Sequence, residues 1–108
     1  MNLITKAKHI CQKLMIDPDT IYSIFNIYSY IGNQRDLYGT VLKYEESDKK
    51  VIFITLESGW HKRYTFKSEI LDTVRIARDL HNNSFNKRQI ADILSISRDE
   101  VEHIIERR

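Results

Sequence analysis

Residues 86–108, NKRQIADILSISRDEVEHIIERR, encode two helix starts within one short stretch, which leaves few ways to fold them. Asn86 stands where an N-cap side chain can accept an orphan backbone N–H, Gln89 follows as in a capping box, and Phe85 can staple onto Ile90. This first helix is expected to run to about Leu94. Ser97 then caps a second helix with Glu100 at the reciprocal position, while Ile96 can pack on Val101. Ile90, Ala91 and Leu94, then Ile96, then Val101, Ile104 and Ile105 have the spacing of two helices that cross through a tight turn. Ala91 supplies the small side chain that a close crossing requires.

The segment IADILSISRDEV resembles the helix-turn-helix superfamily of DNA-binding transcriptional regulators, which places Ala in the first helix, Ile-Ser at the turn and Val in the second. It departs at Ser95, where the superfamily most often has a left-handed Gly and where another residue costs about 1 kcal/mol. The resemblance implies that the helix from Ser97 enters the major groove with Ser97, Arg98, Glu102 and His103 on its exposed face. Arg98 would then read guanine and Glu102 would accept from a cytosine amino group. Lys87 and Arg88, joined by Arg107 and Arg63, would hold phosphates. Upstream, SEILDTVRIARDLHNN predicts a third helix capped by Ser68, with Ile70, Val74, Ala77 and Leu80 on one stripe and Arg75 and Arg78 on its other side.

The N-terminal end aligns with this segment at an offset of 80 positions, ICQKLMIDPDTIYSIF over IADILSISRDEVEHII. Cys11 takes the place of Ala91, and Asp17 takes the place of the cap Ser97. Pro18 falls at a first helical position, where proline is favoured. The pattern predicts a helical N-terminus over residues 1–31, either as a second helix-turn-helix-like pair or as a buried helix. Residues 18–31 hold no Lys or Arg and are apolar or aromatic nearly all round, which suits a core or a dimer interface built on Tyr22, Phe25 and Tyr28. The single cysteine, Cys11, has no disulfide partner and is expected to act as a small buried hydrophobe.

Between the helical ends, residues 37–67 alternate as strands do, with turn chemistry at EESDKK and at Ser58-Gly59. Three antiparallel strands in a meander are expected, at about 38–44, 51–57 and 60–67. On the last of these Trp60, Lys62, Tyr64 and Phe66 share one face and His61, Arg63, Thr65 and Lys67 the other. That second, basic face is either the wing of a winged helix, with His61 and Arg63 against DNA, or the watered side of an ordinary small sheet.

The expected architecture is therefore α+β, with a helical N-terminus, a three-stranded antiparallel meander and a C-terminal trihelical helix-turn-helix over 68–108, all in one compact domain of 108 residues. No apolar run reaches the roughly 20 residues that cross a bilayer, and no secretory leader pattern opens the chain, so a cytoplasmic protein is expected. His9, His61, His81 and His103 lack partners at metal-ligand spacing, and no Gly-rich phosphate loop is present; neither catalysis, a metal nor a cofactor is expected.

Two functions from different classes fit. The first is sequence-specific binding of double-stranded DNA by a small regulator acting as a homodimer. The second is a protein-interaction module, an inhibitor or adaptor, on the same scaffold. Charge favours the second: the net charge is only +2, and residues 68–108 carry seven basic against eight acidic side chains. Asp99 and Glu100 suit the start of a helix and its dipole, but Glu102 and Glu106 have no such local use.

Overall fold

A computed structural model describes residues 2–106 and divides the chain into two compact units, Met1–Thr65 and Phe66–Arg108. The first holds helix α1 (Leu3–Leu14), a single 3-10 turn (Pro18–Thr20) and the strands β1 (Ile21–Ile31), β2 (Gln34–Glu46), β3 (Lys49–Leu56) and β4 (His61–Phe66), the last of which runs one residue into the second unit. The second holds helices α2 (Glu69–Asn82), α3 (Lys87–Leu94) and α4 (Arg98–Glu106). The strands form one antiparallel sheet in the order β1-β2-β3-β4.

This is not the expected architecture. The helical N-terminus, three-stranded meander and C-terminal trihelical helix-turn-helix give way to one four-stranded sheet and four helices, one of which precedes the sheet. The physical reason lies in residues 21–31. IYSIFNIYSYI is made almost wholly of Ile, Tyr, Phe and Ser, lacks every strong helix former, and is apolar on both sides whichever periodicity is imposed on it. Pro18 does start a helical turn, with the Asp17 side chain accepting from Asp19 N, but only a 3-10 turn results.

Up to that point the two ends of the chain do share a device. Helix α1 ends on Met15 in the left-handed region (φ 58°) and α3 ends on Ser95 in the same region (φ 56°). Ile16 N donates to Cys11 O (2.9 Å) as Ile96 N does to Ala91 O (3.1 Å). Cys11 and Ala91 are both buried, and burial pushes the Cys11 thiol above its ordinary pKa, with Asp17 adding to the effect. The two segments part after the caps Asp17 and Ser97, one into a strand and the other into a helix.

The first unit is organised by its middle strands. Residues 39–44 of β2 and 51–54 of β3 are buried without interruption, so both faces of these strands are out of water. On one face Leu42, Tyr44, Val51 and Phe53 form a cluster against Ala7, Ile10 and Ile16, with Ile21 and Ile24 of β1 beside them. Val41, Ile52 and Ile54 are buried on the opposite face. Lys6 ties α1 to the end of β3 through Glu57 (2.9 Å). Hairpin turns fall at Gly32-Asn33 and at Ser47-Asp48, with Gly32 and Ser47 at positive φ.

Gly39 marks where β1 and β2 change register, between Ile27 opposite Gly39 and Tyr28 opposite Leu37. A Cβ at Gly39 would lie 2.5 Å from Thr55 O and 2.7 Å from Leu56 Cδ2. Backbone cannot retreat from such a contact as a flexible side chain can. Gly39→Ala is therefore expected to destabilise the protein by about 1–3 kcal/mol, read in thermal unfolding as a Tm lower by roughly 5 °C or more. An unchanged Tm would show that the β2–β3 approach is looser than described.

In the second unit, α2 buries Ile76, Ala77 and Leu80, whereas Ile70, expected on the buried stripe, is 79 % exposed and Leu71 is 72 % exposed. Ser68 occupies the N-cap but makes no side-chain capping bond. Asp72 does that work from inside the helix, accepting from the backbone N–H groups of Ser68 (2.8 Å) and Lys67, with Arg75 Nη2 3.2 Å away. Those backbone hydrogen bonds, reinforced by Arg75, hold the Asp72 carboxyl below the usual carboxylate range. A depressed pKa stabilises the fold above the unfolded-state value of about 3.9, and the contribution is lost as pH falls through the lower folded-state value. Asp72→Asn is expected to lower stability at neutral pH, with the gap from wild type closing below about pH 4. A gap that stayed constant from pH 7 to pH 3 in urea unfolding would contradict this role.

Candidate nucleic-acid interface

The α3–α4 pair is held at each start by its own side chains. Asn86 Oδ1 accepts from Gln89 N (2.8 Å) while Gln89 Oε1 accepts from Asn86 N (3.0 Å), closing a capping box whose Gln89 is itself buried. Ser97 Oγ accepts from Glu100 N (3.1 Å). Phe85, Ile90, Ala91, Ile93 and Leu94 are buried, and of α4 only Val101 is fully so, which leaves most of α4 in contact with water.

The residues expected on the DNA-facing surface fall into three groups. Ser97, Arg98 and His103 are exposed along α4, and Arg88 is exposed near the start of α3. Lys87 and Glu102 are half-buried and paired with each other at 3.3 Å, and Glu106 lies 4.0 Å from the same ammonium. Arg107 falls outside the described residues. His61 and Arg63 belong to β4 in the first unit, where both are exposed. His61 Nδ1 lies 3.3 Å from Gly59 O, and Arg63 is engaged by Glu46 at 2.8 Å. Lys87, expected as a phosphate ligand, and Glu102, expected as a base reader, are instead partners of each other. The two lie 15 positions apart, and only the α3–α4 crossing brings them together.

Solvent-accessible pairs such as this half-buried one contribute about 0.2–1 kcal/mol to stability, so their importance is in charge. The single Lys87 ammonium offsets one of the two negative charges of Glu102 and Glu106, the carboxylates that lie farthest from any helix start, while Asp99 and Glu100 sit in the first turn, where the helix dipole favours acids. The N-terminal end of α4 exposes Arg98 together with these two acids, beside the Ser97 hydroxyl. Among the described residues no group of three His, Cys, Asp or Glu could hold a metal, and no helix is long and apolar enough to cross a membrane.

The same unit also carries an apolar cleft of 410 Å3 whose lining includes Phe66, Ile70, Val74, Leu94, Ile96 and Ile104, with Glu69 and Glu100 in its walls. The proposed dimer residues lie elsewhere, on β1: Tyr22 is 50 % exposed, Phe25 and Tyr28 are half-buried, and Arg35 sits 4.0 Å above the Tyr28 ring. No family model, curated protein or solved structure matches this chain.

Proposed function

We propose that the protein binds double-stranded DNA through α3 and α4, the part of the chain that resembles the helix-turn-helix superfamily, and serves in the cytoplasm as a small non-enzymatic transcriptional regulator. The observation that carries this reading is the Lys87–Glu102 pair, with Glu106 close by. It offsets acidic charge that would otherwise repel phosphate and leaves Arg98 exposed at the start of a Ser97-capped helix. In this account Lys87 supports binding by holding the two acids, and Glu102 is not a base reader. Arg98 reads a guanine edge, and Arg88 approaches the backbone.

A titration against a mixed duplex library at two salt concentrations tests the reading. Binding that weakens as salt rises is expected, and none at low salt would exclude it. Arg98→Ala is expected to weaken selected sites by roughly 5- to 150-fold while leaving random duplex nearly unchanged. Lys87→Ala is expected to weaken both alike, because it removes a cation and frees two carboxylates. Glu102→Gln is expected to strengthen random binding.

A second reading is favoured by the exposed Ile70 and Leu71 and by the adjoining cleft, whose lining includes Val74, Leu94, Ile96 and Ile104. The unit would then be a protein-interaction module that receives an apolar side chain of its partner between α2 and α4. Salt-insensitive failure to bind any duplex, together with an intact fold, would favour this reading.

A further inference from the structure

Strand β1 ends the sheet: it pairs with β2 on one side, and no other strand among the described residues pairs with it on the other. It is 11 residues long, and all of it but Ile27 keeps some exposure to water. An exposed edge of this kind is a template for another strand, and proteins that stay apart blunt it with Lys, with Pro, with a bulge or with an inward-pointing charge. IYSIFNIYSYI holds no Lys, Pro or charge. One irregularity, at Tyr22 between Ile21 and Ser23, interrupts its start, and from Ser23 onward β1 itself contributes no extra residue to the ladder.

The order of side chains adds a stronger constraint. Read outward from Asn26, the strand is nearly a palindrome: Phe25 mirrors Ile27, Ile24 mirrors Tyr28, Ser23 mirrors Ser29, Tyr22 mirrors Tyr30 and Ile21 mirrors Ile31. Two copies placed antiparallel about a two-fold axis at Asn26 therefore set like against like throughout the regular stretch from Ser23 to Ser29, apolar on apolar and hydroxyl on hydroxyl. A self-complementary patch of this kind is what a closed two-fold interface requires. Cross-strand pairs of aromatic and β-branched residues and of two serines are favourable in antiparallel sheets, and no like charges are opposed. Asn26 fits the axis. Its Oδ1 already accepts from Thr40 Oγ1 (3.1 Å), and an amide keeps both donors and a second acceptor lone pair for its symmetry mate.

We propose that β1 is the docking edge for a second copy of this chain, the two strands pairing antiparallel in the register that places Asn26 opposite Asn26, so that two four-stranded sheets become one continuous sheet. The pairing does not rest on DNA binding by the other unit.

Sedimentation of the intact protein over micromolar concentrations is expected to show a monomer–dimer equilibrium, and a monomer throughout would overturn the proposal. Register is tested by cysteine pairs formed under mild oxidation. In Asn26→Cys two thiols face each other with Cα atoms about 4.5–5.5 Å apart, within disulfide reach, and a covalent dimer is expected. In Ser23→Cys the same atoms lie roughly 20 Å apart at 3.4 Å per residue, and none is expected. Equal cross-linking of the two variants, or of neither, would overturn the register. Should Asn26→Cys not fold, the double variant Ser23→Lys/Ser29→Lys opposes lysines across the pair. It is expected to sediment as a monomer and to dimerise when mixed with Ser23→Glu/Ser29→Glu. A dimer that survived in the Lys variant alone would place the interface elsewhere.

Discussion

Complete burial of the middle of the β2–β3 pair is the constraint on which the first unit depends. Val41, Leu42, Val51 and Ile54 lose all contact with water, and Tyr44, Ile52 and Phe53 nearly all. Two strands buried on both faces cannot carry the polar-out alternation of a half-exposed sheet, and β2 accommodates this at some cost. Lys43 is 8 % exposed, its ammonium 5.6 Å from the Phe25 ring, and desolvation lowers its pKa. Gly39 must remain without a side chain where β3 comes close. The outer strands are freer: exposed aromatics gather on β1, and charges on β4 and at the hairpin ends.

One device serves both units. Each of the helices α1 and α3 stops on a non-glycine residue in the left-handed region, returns a hydrogen bond from the next turn to a buried small residue, and passes the chain to a capping side chain. After Ser97 the sequence RDEVEHII supplies Arg98, Glu100 and Glu102 with Val101, Ile104 and Ile105 at helical spacing, and a helix follows. After Asp17 it turns to Ile, Tyr and Phe, and a strand follows. The turn sets the direction of the chain, and the residues beyond it decide which periodicity takes over.

That distinction explains what the sequence made legible. Capping is local, so the Asn86–Gln89 box and the Ser97–Glu100 bond could be read from spacing alone, as could the turn at Ser47-Asp48. The strand character of residues 21–31 could not be read in that way, because a run that is apolar on every side gives the same signal for a buried helix as for a strand, and the Pro18 cap favoured the helix. Composition was the better guide there. Asp72 as the cap of α2, the exposure of Ile70 and the Lys87–Glu102 pair were not legible, since each depends on how helix ends and crossings arrange side chains in space.

Both the sheet and its self-pairing edge depend on residues 21–31 being an edge strand. The most direct measurement is a set of NMR nuclear Overhauser contacts across this segment in the intact protein. Cross-strand contacts joining Phe25 to Val41 and Asn26 to Thr40, with extended-strand chemical shifts throughout, are the predicted result. Sequential contacts between residues three and four apart, with helical shifts from Ile21 to Ile31, would contradict both the sheet and the self-pairing edge built on it.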